Sequence, residues 1–168
     1  MGIIKSHDGF INVYSEVGIG TRFQVYLPAV GGIETLISEN STALIGHGEL
    51  ILIVDDEVAI QDITKNSLET YNYKTMIAGD GIEAIALYAK YIDKISVVLM
   101  DMMLPSLDGL TAIRTLKKIN PNIKIIATSG LMSNNKLMAV AEAGVTTFLS
   151  KPYTINELLL ALQKVLTN

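Results

Sequence analysis

The hydrophobic positions from residue 49 onward fall into short apolar runs separated by longer amphipathic stretches. Residues 50–54 and 95–100 are rich in Val, Ile and Leu, a pattern typical of strands buried on both faces. Apolar residues recur at three- and four-residue spacing between the runs and along 155–166, which indicates helices with one buried face. Five strands alternating with five helices are predicted, with the strands at 50–54, 73–78, 95–101, 123–127 and 145–149.

This alternation predicts the fold class. Strands that alternate with helices are joined by right-handed crossovers, so the strands run parallel and the helices cover both faces of the sheet. We therefore expect residues 48–168 to form an α/β domain, a doubly wound sheet of five parallel strands.

Residues 1–29 follow a different pattern. Apolar and polar residues alternate along 10–15 and again along 21–27, with glycines between them, which predicts an extra N-terminal β-hairpin. Residues 2–7 are compatible with the end of a helix that stops at the following Asp-Gly pair. Because an isolated hairpin is only marginally stable in water, this segment is expected to be a piece of a larger domain. Residues 30–47 are rich in Gly, Ser, Thr and Asn and predict a linker.

Composition narrows the classes of protein that remain. Hydrophobic residues make up 49% of the chain and charged residues 18%, so there are enough apolar side chains for a folded core. The absence of cysteine excludes disulfides, thiolate zinc sites and cysteine nucleophiles. With a net charge of −4 and no run of Lys or Arg, we expect no nucleic-acid binding. No apolar stretch approaches the roughly 18 residues of a membrane span and no signal-peptide core is present, so we expect a cytoplasmic protein without direct membrane contact.

Polar groups follow four of the predicted strands, namely the pair Asp55-Asp56, then Asp101, Ser129 and Lys151. The carboxyl ends of parallel strands meet at one edge of a sheet, so these side chains are expected to converge. Carboxylates brought together repel one another unless a cation intervenes, and Mg²⁺ together with a lysine ammonium balances that charge. Such a site suits a phosphoryl group, with one carboxylate left to act as nucleophile.

Each of these residues also has a purely structural interpretation. Asp55 and Asp56 are good N-terminal caps for a helix, Ser129 could cap the next helix, and Lys151 could be a solvated surface residue. The combination at four independent strand ends is improbable by chance, and it favours the functional interpretation.

Residues 49–168 resemble a response-regulator receiver domain over its full length. The resemblance is carried by Asp55-Asp56, by Asp101 with the Leu104-Pro105 and Asp108-Gly109 that follow it, by Ser129-Gly130 and by Lys151-Pro152. It implies a flavodoxin-like (βα)5 fold in which Asp101 accepts a phosphoryl group from a phosphohistidine or a small acyl phosphate.

The same resemblance implies a Mg²⁺ site. Asp56 would bind the ion directly and Asp55 mainly through water. Asp101 and the backbone carbonyl of Met103 would be further ligands.

The resemblance also implies groups that sense the phosphoryl oxygens. Ser129 and Lys151 would each contact one of them. Phe148, three residues before Lys151, falls at the family's aromatic switch position, although a plain core role stays open for it. Because phosphorylation adds roughly −1.5 to −2 charges, it is expected to move these groups and to change a protein-interaction surface.

Residues 7–28 resemble the end of a histidine-kinase ATP-binding domain. Gly18, Gly20, Thr21 and Phe23 match the final Gly-x-Gly-Thr-x-Phe motif of that family. The motifs that bind Mg-ATP in that family have no counterpart in this sequence, so we expect no ATP-dependent kinase activity of this chain. The order of kinase end, linker and receiver implies a fragment of a hybrid sensor histidine kinase.

Three kinds of function are compatible with this pattern. The first is a phosphoacceptor receiver in a phosphorelay. Its partners would be a phosphodonor, either a histidine kinase or a histidine phosphotransfer protein, and a downstream signalling protein. A homodimer formed through the unpaired edges of the hairpin also stays open. A receiver fold that acts as an interaction module without phosphate would not need the complete acid set. A phosphatase of the haloacid-dehalogenase type needs Asp-x-Asp after the first strand, and a flavodoxin-like redox protein needs a phosphate-cradling loop there. Asp55-Asp56-Glu57 provides neither.

Overall fold

The computed structural model describes residues 4, 8–28, 44–130 and 134–167. The chain divides into two compact units, residues 1–38 and 39–168, which are described separately. Apart from residue 4, the predicted helix end lies outside the described residues, as does the predicted linker up to residue 43.

The first unit contains the predicted β-hairpin. Strand β1 (Phe10–Glu16) pairs antiparallel with β2 (Gly20–Tyr26). Gly18, in the turn, has φ +83°, a left-handed conformation that glycine adopts without steric cost. The side chains of Val13 and Phe23, which lie opposite each other, are 54% and 64% exposed, so the hairpin carries apolar surface that its own two strands do not bury.

The second unit is a doubly wound α/β sheet. Among the described residues, five parallel strands stand in the order β4-β3-β5-β6-β7. The strands are β3 (Leu50–Val54), β4 (Lys74–Ala78), β5 (Ile95–Asp101), β6 (Ile125–Ser129) and β7 (Thr147–Ser150). The chain leaves β3 in one direction to β4 and then crosses to β5 on the other side. This reversal of strand order opens a crevice beyond the carboxyl ends of β3 and β5.

Helices cover both faces of this sheet, as the sequence predicts. They are α1 (Val58–Thr70), α2 (Gly81–Lys90), α3 (Gly109–Ile119), α4 (Asn134–Glu142) and α5 (Ile155–Thr167). Along β5, Val98 and Met100 join the core beneath α2, α3 and α4, whereas Val97 and Leu99 join the core beneath α1 and α5. The period-2 alternation of a strand therefore supplies both cores from one apolar run. No helix of the described ranges is both long and apolar enough to span a bilayer.

Three strands of the sheet differ from their predicted bounds. The second, predicted at 73–78, is Lys74–Ala78. The fourth strand of the sheet, predicted at 123–127, is Ile125–Ser129, because its ladder with β5 continues to the pair Asp101 and Thr128. The fifth, predicted at 145–149, is Thr147–Ser150. Val145 instead donates its amide to the carbonyl of Val140, which closes the end of α4. Apolar runs mark a strand's centre better than its ends, which tertiary pairing decides.

The last residues of the predicted linker pack against the α/β unit. Gly46 is buried, its amide donates to the carbonyl oxygen of Tyr71, and its own carbonyl oxygen accepts from the side chain of Asn72. A Cβ at position 46 would lie 2.7 Å from the ring of Tyr73. Leu44 packs against the core beneath α1 and α5. Residues 44–47 are therefore tied to the end of α1.

Thr147 provides a test of the core in β7. The residue is 6% exposed, and its hydroxyl lacks a hydrogen-bond partner in the described part of the chain. Thr147→Val removes the unpaired hydroxyl with little change of shape, so we expect the free energy of unfolding to rise by about 1 kcal/mol. Thermal or urea unfolding measures the change. Thr115→Val is the matched control, because the Thr115 hydroxyl is exposed and already donates to the carbonyl of Thr111. If Thr147→Val were no more stable than wild type, the buried hydroxyl of Thr147 would not be an unpaired, destabilising group.

Candidate functional site

The predicted polar residues converge at the carboxyl edge of the sheet. Asp55 follows β3, Asp101 ends β5, Ser129 ends β6 and Lys151 follows β7. The amide of Lys151 donates to the carbonyl oxygen of Ser129 at 2.9 Å, so the last two strands hold their polar ends side by side. Four segments distant along the chain thus form one site beside the crevice.

Three carboxylates form the acidic part of this site. Asp55, Asp56 and Asp101 each offer one oxygen, and the three oxygens lie within 4.8 Å of one another. Asp55 and Asp101 are only 4% and 6% exposed, whereas Asp56 faces solvent. Burying a carboxylate is costly unless it is paired, so the two buried acids require a cation beside them.

Lys151 supplies that cation. Its Nζ lies 2.6 Å from Oδ2 of Asp55 and 2.5 Å from Oδ2 of Asp101, and its side chain is 22% exposed. Burial lowers the pKa of Lys151, but the hydrogen bonds and charges of Asp101 and Asp55 outweigh burial and raise the pKa above its ordinary 10.5. Stabilisation by the ammonium is therefore fully present below pH 10.5 and is lost only as the pH rises through the folded-state pKa.

Backbone amides fix the other oxygen of each buried carboxylate. Oδ1 of Asp55 accepts from the amide of Glu57 at 3.0 Å, and Oδ1 of Asp101 accepts from the amide of Met103 at 2.9 Å. Each acid is thus held by an ammonium on one oxygen and by its own loop on the other. Their orientation is set before any ligand arrives, which is the condition for a precise binding site.

The start of α3 packs directly on the acceptor strand. A Cβ at Gly109 would overlap the carbonyl oxygen of Asp101 and lie 2.8 Å from Cα of Met102. The preceding residue, Asp108, caps α3 by accepting from the amide and the hydroxyl of Thr111, and the side-chain bond from Thr111 is the main cause of its lowered pKa. Gly109 is therefore required by close packing against Asp101, whereas Asp108 caps the helix.

The remaining predicted residues, Ser129, Met103 and Phe148, differ in their exposure. Ser129 is buried at 3% exposure, and Met103 directs its amide toward Asp101 while its side chain is 56% exposed. Phe148 is half-buried and packs against the core beneath α2, α3 and α4. Thr128, the residue before Ser129, is also buried and pairs with Asp101 across the two strands.

Sequence reasoning missed two polar residues that contact the site's loops. Gln61 on α1 donates from Nε2 to the carbonyl oxygen of Asp55, and Tyr153 is hydrogen-bonded through its side chain to Thr64. Gln61 and Thr64 occupy buried positions of α1, together with Leu68. A polar residue within the apolar stripe of a helix is the sequence signal that could have identified Gln61 and Thr64.

The donor set fits a hard divalent cation. The three carboxylates and one ammonium of this cluster leave an excess of two negative charges. Mg²⁺ takes oxygen ligands, and one or two protein carboxylates with water and phosphate usually complete its shell. Carboxylate oxygens within 4.8 Å of one another at a solvent-accessible edge meet that requirement.

Comparisons with known proteins identify the family of the α/β unit. Residues 51–163 match the family model described as the response regulator receiver domain. The crystal structure of a response regulator receiver domain protein from Clostridium thermocellum superposes with a TM-score of 0.68 at 28% identity, covering 70% of this chain and 94% of that one. The chain belongs to the response-regulator receiver family, and it carries a receiver domain of two-component signalling.

Two further similarities concern kinases. The chain is 32% identical to the sensor kinase CckA of Brucella abortus over 98% of its own length, hairpin included, but this covers 18% of that kinase. The receiver domain of sensor histidine kinase PA1611 from Pseudomonas aeruginosa, with magnesium coordinated in its active-site cleft, superposes with a TM-score of 0.65 at 28% identity over 72% of this chain and 99% of that one. The chain spans about half the length of the response regulators among its curated relatives.

Lys151→Met tests the charge balance of the site. The variant leaves two buried carboxylates without their ammonium, so we expect the free energy of unfolding at pH 7 to fall by about 1–3 kcal/mol. Mg²⁺ should recover part of the loss, because a divalent cation can take the place of the missing charge. Thermal unfolding with and without Mg²⁺ measures both effects, and Lys94→Met is a control away from these acids. A variant as stable as wild type, with no larger response to Mg²⁺, would refute the role assigned to the ammonium.

Proposed function

We propose that Asp101 is the phosphoacceptor of this receiver domain. The observation that carries the proposal is the buried carboxylate of Asp101, held between the Lys151 ammonium and the Met103 amide beside a second buried acid. In the reaction, a carboxylate oxygen of Asp101 attacks the phosphorus of a phosphohistidine. The P–N bond breaks as the P–O bond forms, and the histidine ring leaves with the electron pair. The acceptor needs a carboxylate oxygen placed for attack, and the contact with the Lys151 ammonium holds this carboxylate in position.

Asp55, Asp56, Asp101 and the carbonyl of Met103 are the proposed ligands of Mg²⁺. When bound, the ion offsets negative charge on the phosphoryl oxygens as the group is transferred. The protein contributes the position of the carboxylates, because backbone amides and Lys151 already orient Asp55 and Asp101.

Ser129 and Lys151 are proposed to bind two oxygens of the transferred group. Phosphorylation gives Lys151 a more highly charged partner than the Asp55 and Asp101 carboxylates it now contacts. Because the amide of Lys151 is bonded to Ser129, movement of either residue shifts the ends of β6 and β7 together. Phe148, one strand position after Thr147 in β7, is the proposed switch residue that passes this shift to a protein-interaction surface.

We propose that the chain is part of a cytoplasmic hybrid histidine kinase. Residues 1–29 would be the end of its ATP-binding domain, 30–47 a linker and 48–168 the receiver. The exposed apolar side chains of the hairpin and the alignment with sensor kinase CckA across that segment support this order. A histidine kinase or histidine phosphotransfer protein would be the phosphodonor, and a downstream signalling protein would read the switched surface.

Asp101→Asn tests the acceptor. Incubation of wild type with Mg²⁺ and acetyl phosphate should add one acid-labile phosphoryl group, measured by intact mass spectrometry, and the Asn variant should remain unmodified because its amide is a poor nucleophile. Asp93→Asn, an exposed acid outside the cluster, should behave as wild type. Equal labelling of Asp101→Asn and wild type would reject the assignment, and unlabelled wild type would favour the interaction module that works without phosphate.

Deletions test the domain boundary. Removing residues 1–43 should leave a receiver that unfolds cooperatively and still takes a phosphoryl group. Removing residues 1–48 should lower the thermal midpoint, because it deletes the hydrogen bonds of Gly46 and Gly48 to the end of α1 and the packing of Leu44. Circular dichroism follows both transitions. Loss of cooperative unfolding after the shorter deletion would show that the hairpin belongs to the receiver.

A further inference from the structure

Helix α1 carries polar side chains where it faces the sheet. Its buried residues are Gln61, Thr64 and Leu68, and the first two are only 8% and 6% exposed. Residues three apart share one face of a helix, so Gln61 and Thr64 point in nearly the same direction. Burying an amide and a hydroxyl is unfavourable unless both are hydrogen-bonded, and each of these has a partner.

Gln61 holds the loop that carries the acid pair. Its Nε2 donates to the carbonyl oxygen of Asp55 at 2.5 Å. The N-terminal cap of α1, Glu57, makes no side-chain cap hydrogen bond, so Gln61 gives the helix a second tie to the turn in addition to the Glu57 amide on Asp55. Movement of α1 relative to β3 therefore moves Asp55 and the neighbouring Asp56.

Thr64 holds the opposite loop through Tyr153, two residues after Lys151. Thr64, Lys151 and Tyr153 also line one cleft of about 380 Å³, so the helix and the lysine loop are neighbours over more than this one bond. Burial raises the pKa of Tyr153, so its hydroxyl stays neutral through the physiological range. The ring of Tyr153 packs against the core beneath α1 and α5.

We propose that α1 sets the separation between the acid pair and Lys151, with Gln61, Thr64 and Tyr153 as positioning residues. The inference rests on the proposed function of Asp101. One rigid helix is tied at Gln61 to the loop after β3 and at Thr64 to the loop after β7, so it spans the two walls of the site. Reactive groups misplaced by about 1 Å can cost two orders of magnitude in rate, which gives such ties a functional consequence.

The two ties have separable effects. Gln61 acts on the loop of Asp55 and Asp56, so its loss should weaken Mg²⁺ binding. Tyr153 acts on the loop of Lys151, so its loss should slow phosphoryl transfer while Mg²⁺ binding stays near the wild-type value. A purely structural role would change only the thermal midpoint.

The experiment compares Gln61→Met, Tyr153→Phe and the control Tyr88→Phe in the full chain. Tyr88 is 1% exposed in α2 and accepts a hydrogen bond from Asn120 at 2.8 Å, so the control removes a buried tyrosine hydroxyl away from the site. Calorimetric titration gives the Kd for Mg²⁺, mass spectrometry gives the rate of labelling by acetyl phosphate at saturating Mg²⁺, and circular dichroism gives the thermal midpoint.

We expect Gln61→Met to raise the Kd for Mg²⁺ by about three- to tenfold and Tyr153→Phe to slow labelling by a similar factor, the effect of losing one hydrogen bond. Tyr88→Phe should lower only the thermal midpoint. Thr64→Val should repeat the effect of Tyr153→Phe, and Thr64→Ser, which keeps a hydroxyl, should restore the wild-type rate.

The outcomes separate the two proposals. A wild-type protein that takes no phosphoryl group overturns the proposed function and this inference with it. A labelled wild type whose Gln61 and Tyr153 variants change Kd and rate no more than Tyr88→Phe overturns the inference alone. If Tyr153→Phe does not fold, the pair Thr64→Val and Thr64→Ser decides, since equal labelling rates of that pair contradict the tie.

Discussion

The site depends on one contact, the ammonium of Lys151 between the carboxylates of Asp55 and Asp101. Asp55 and Asp101 are only 4% and 6% exposed, so burial removes most of their hydration. Without the ammonium, the two carboxylates would repel each other and no cation would compensate for that loss. The fold makes this contact possible because three different strands of one parallel sheet end at the same edge. The charge excess that remains after the pairing makes the site receptive to a divalent cation.

The order of the sheet places this contact beside the crevice. Strands β3 and β5 are neighbours although α1, β4 and α2 separate them in sequence, so their terminal acids face each other across one strand spacing. Helix α3 begins so close to Asp101 that only glycine fits at position 109. The strand ends, the loop amides and the helix start together leave each carboxylate little freedom, and a site of low freedom loses little entropy when a ligand binds.

Most of the fold was predictable from the sequence because the apolar runs are short, uninterrupted and rich in branched residues. Leu50–Val54 has the predicted bounds, and Ile95–Asp101 ends at the predicted acid. The convergence of Asp55, Asp101 and Lys151 also followed from parallel topology alone. The sequence pattern did not predict that strand pairing extends beyond an apolar run, as it does at Thr128. It also did not predict that residues 44–47 attach to the end of α1. Both features depend on contacts between segments that are distant in sequence. The polar residues Gln61 and Thr64 in the buried stripe of α1 were a signal in the sequence, but their partners were not evident from it.

A crystal structure of the chain grown with Mg²⁺ and beryllium fluoride would show whether Asp101 accepts a phosphoryl group beside Lys151, because beryllium fluoride adds to a carboxylate as a phosphoryl group does. We expect a beryllium atom bonded to an oxygen of Asp101, with Lys151 and Ser129 contacting its fluorines. A metal ion should lie among Asp55, Asp56 and Asp101. An unmodified Asp101 still paired with Lys151, with the metal ion bound elsewhere, would contradict it.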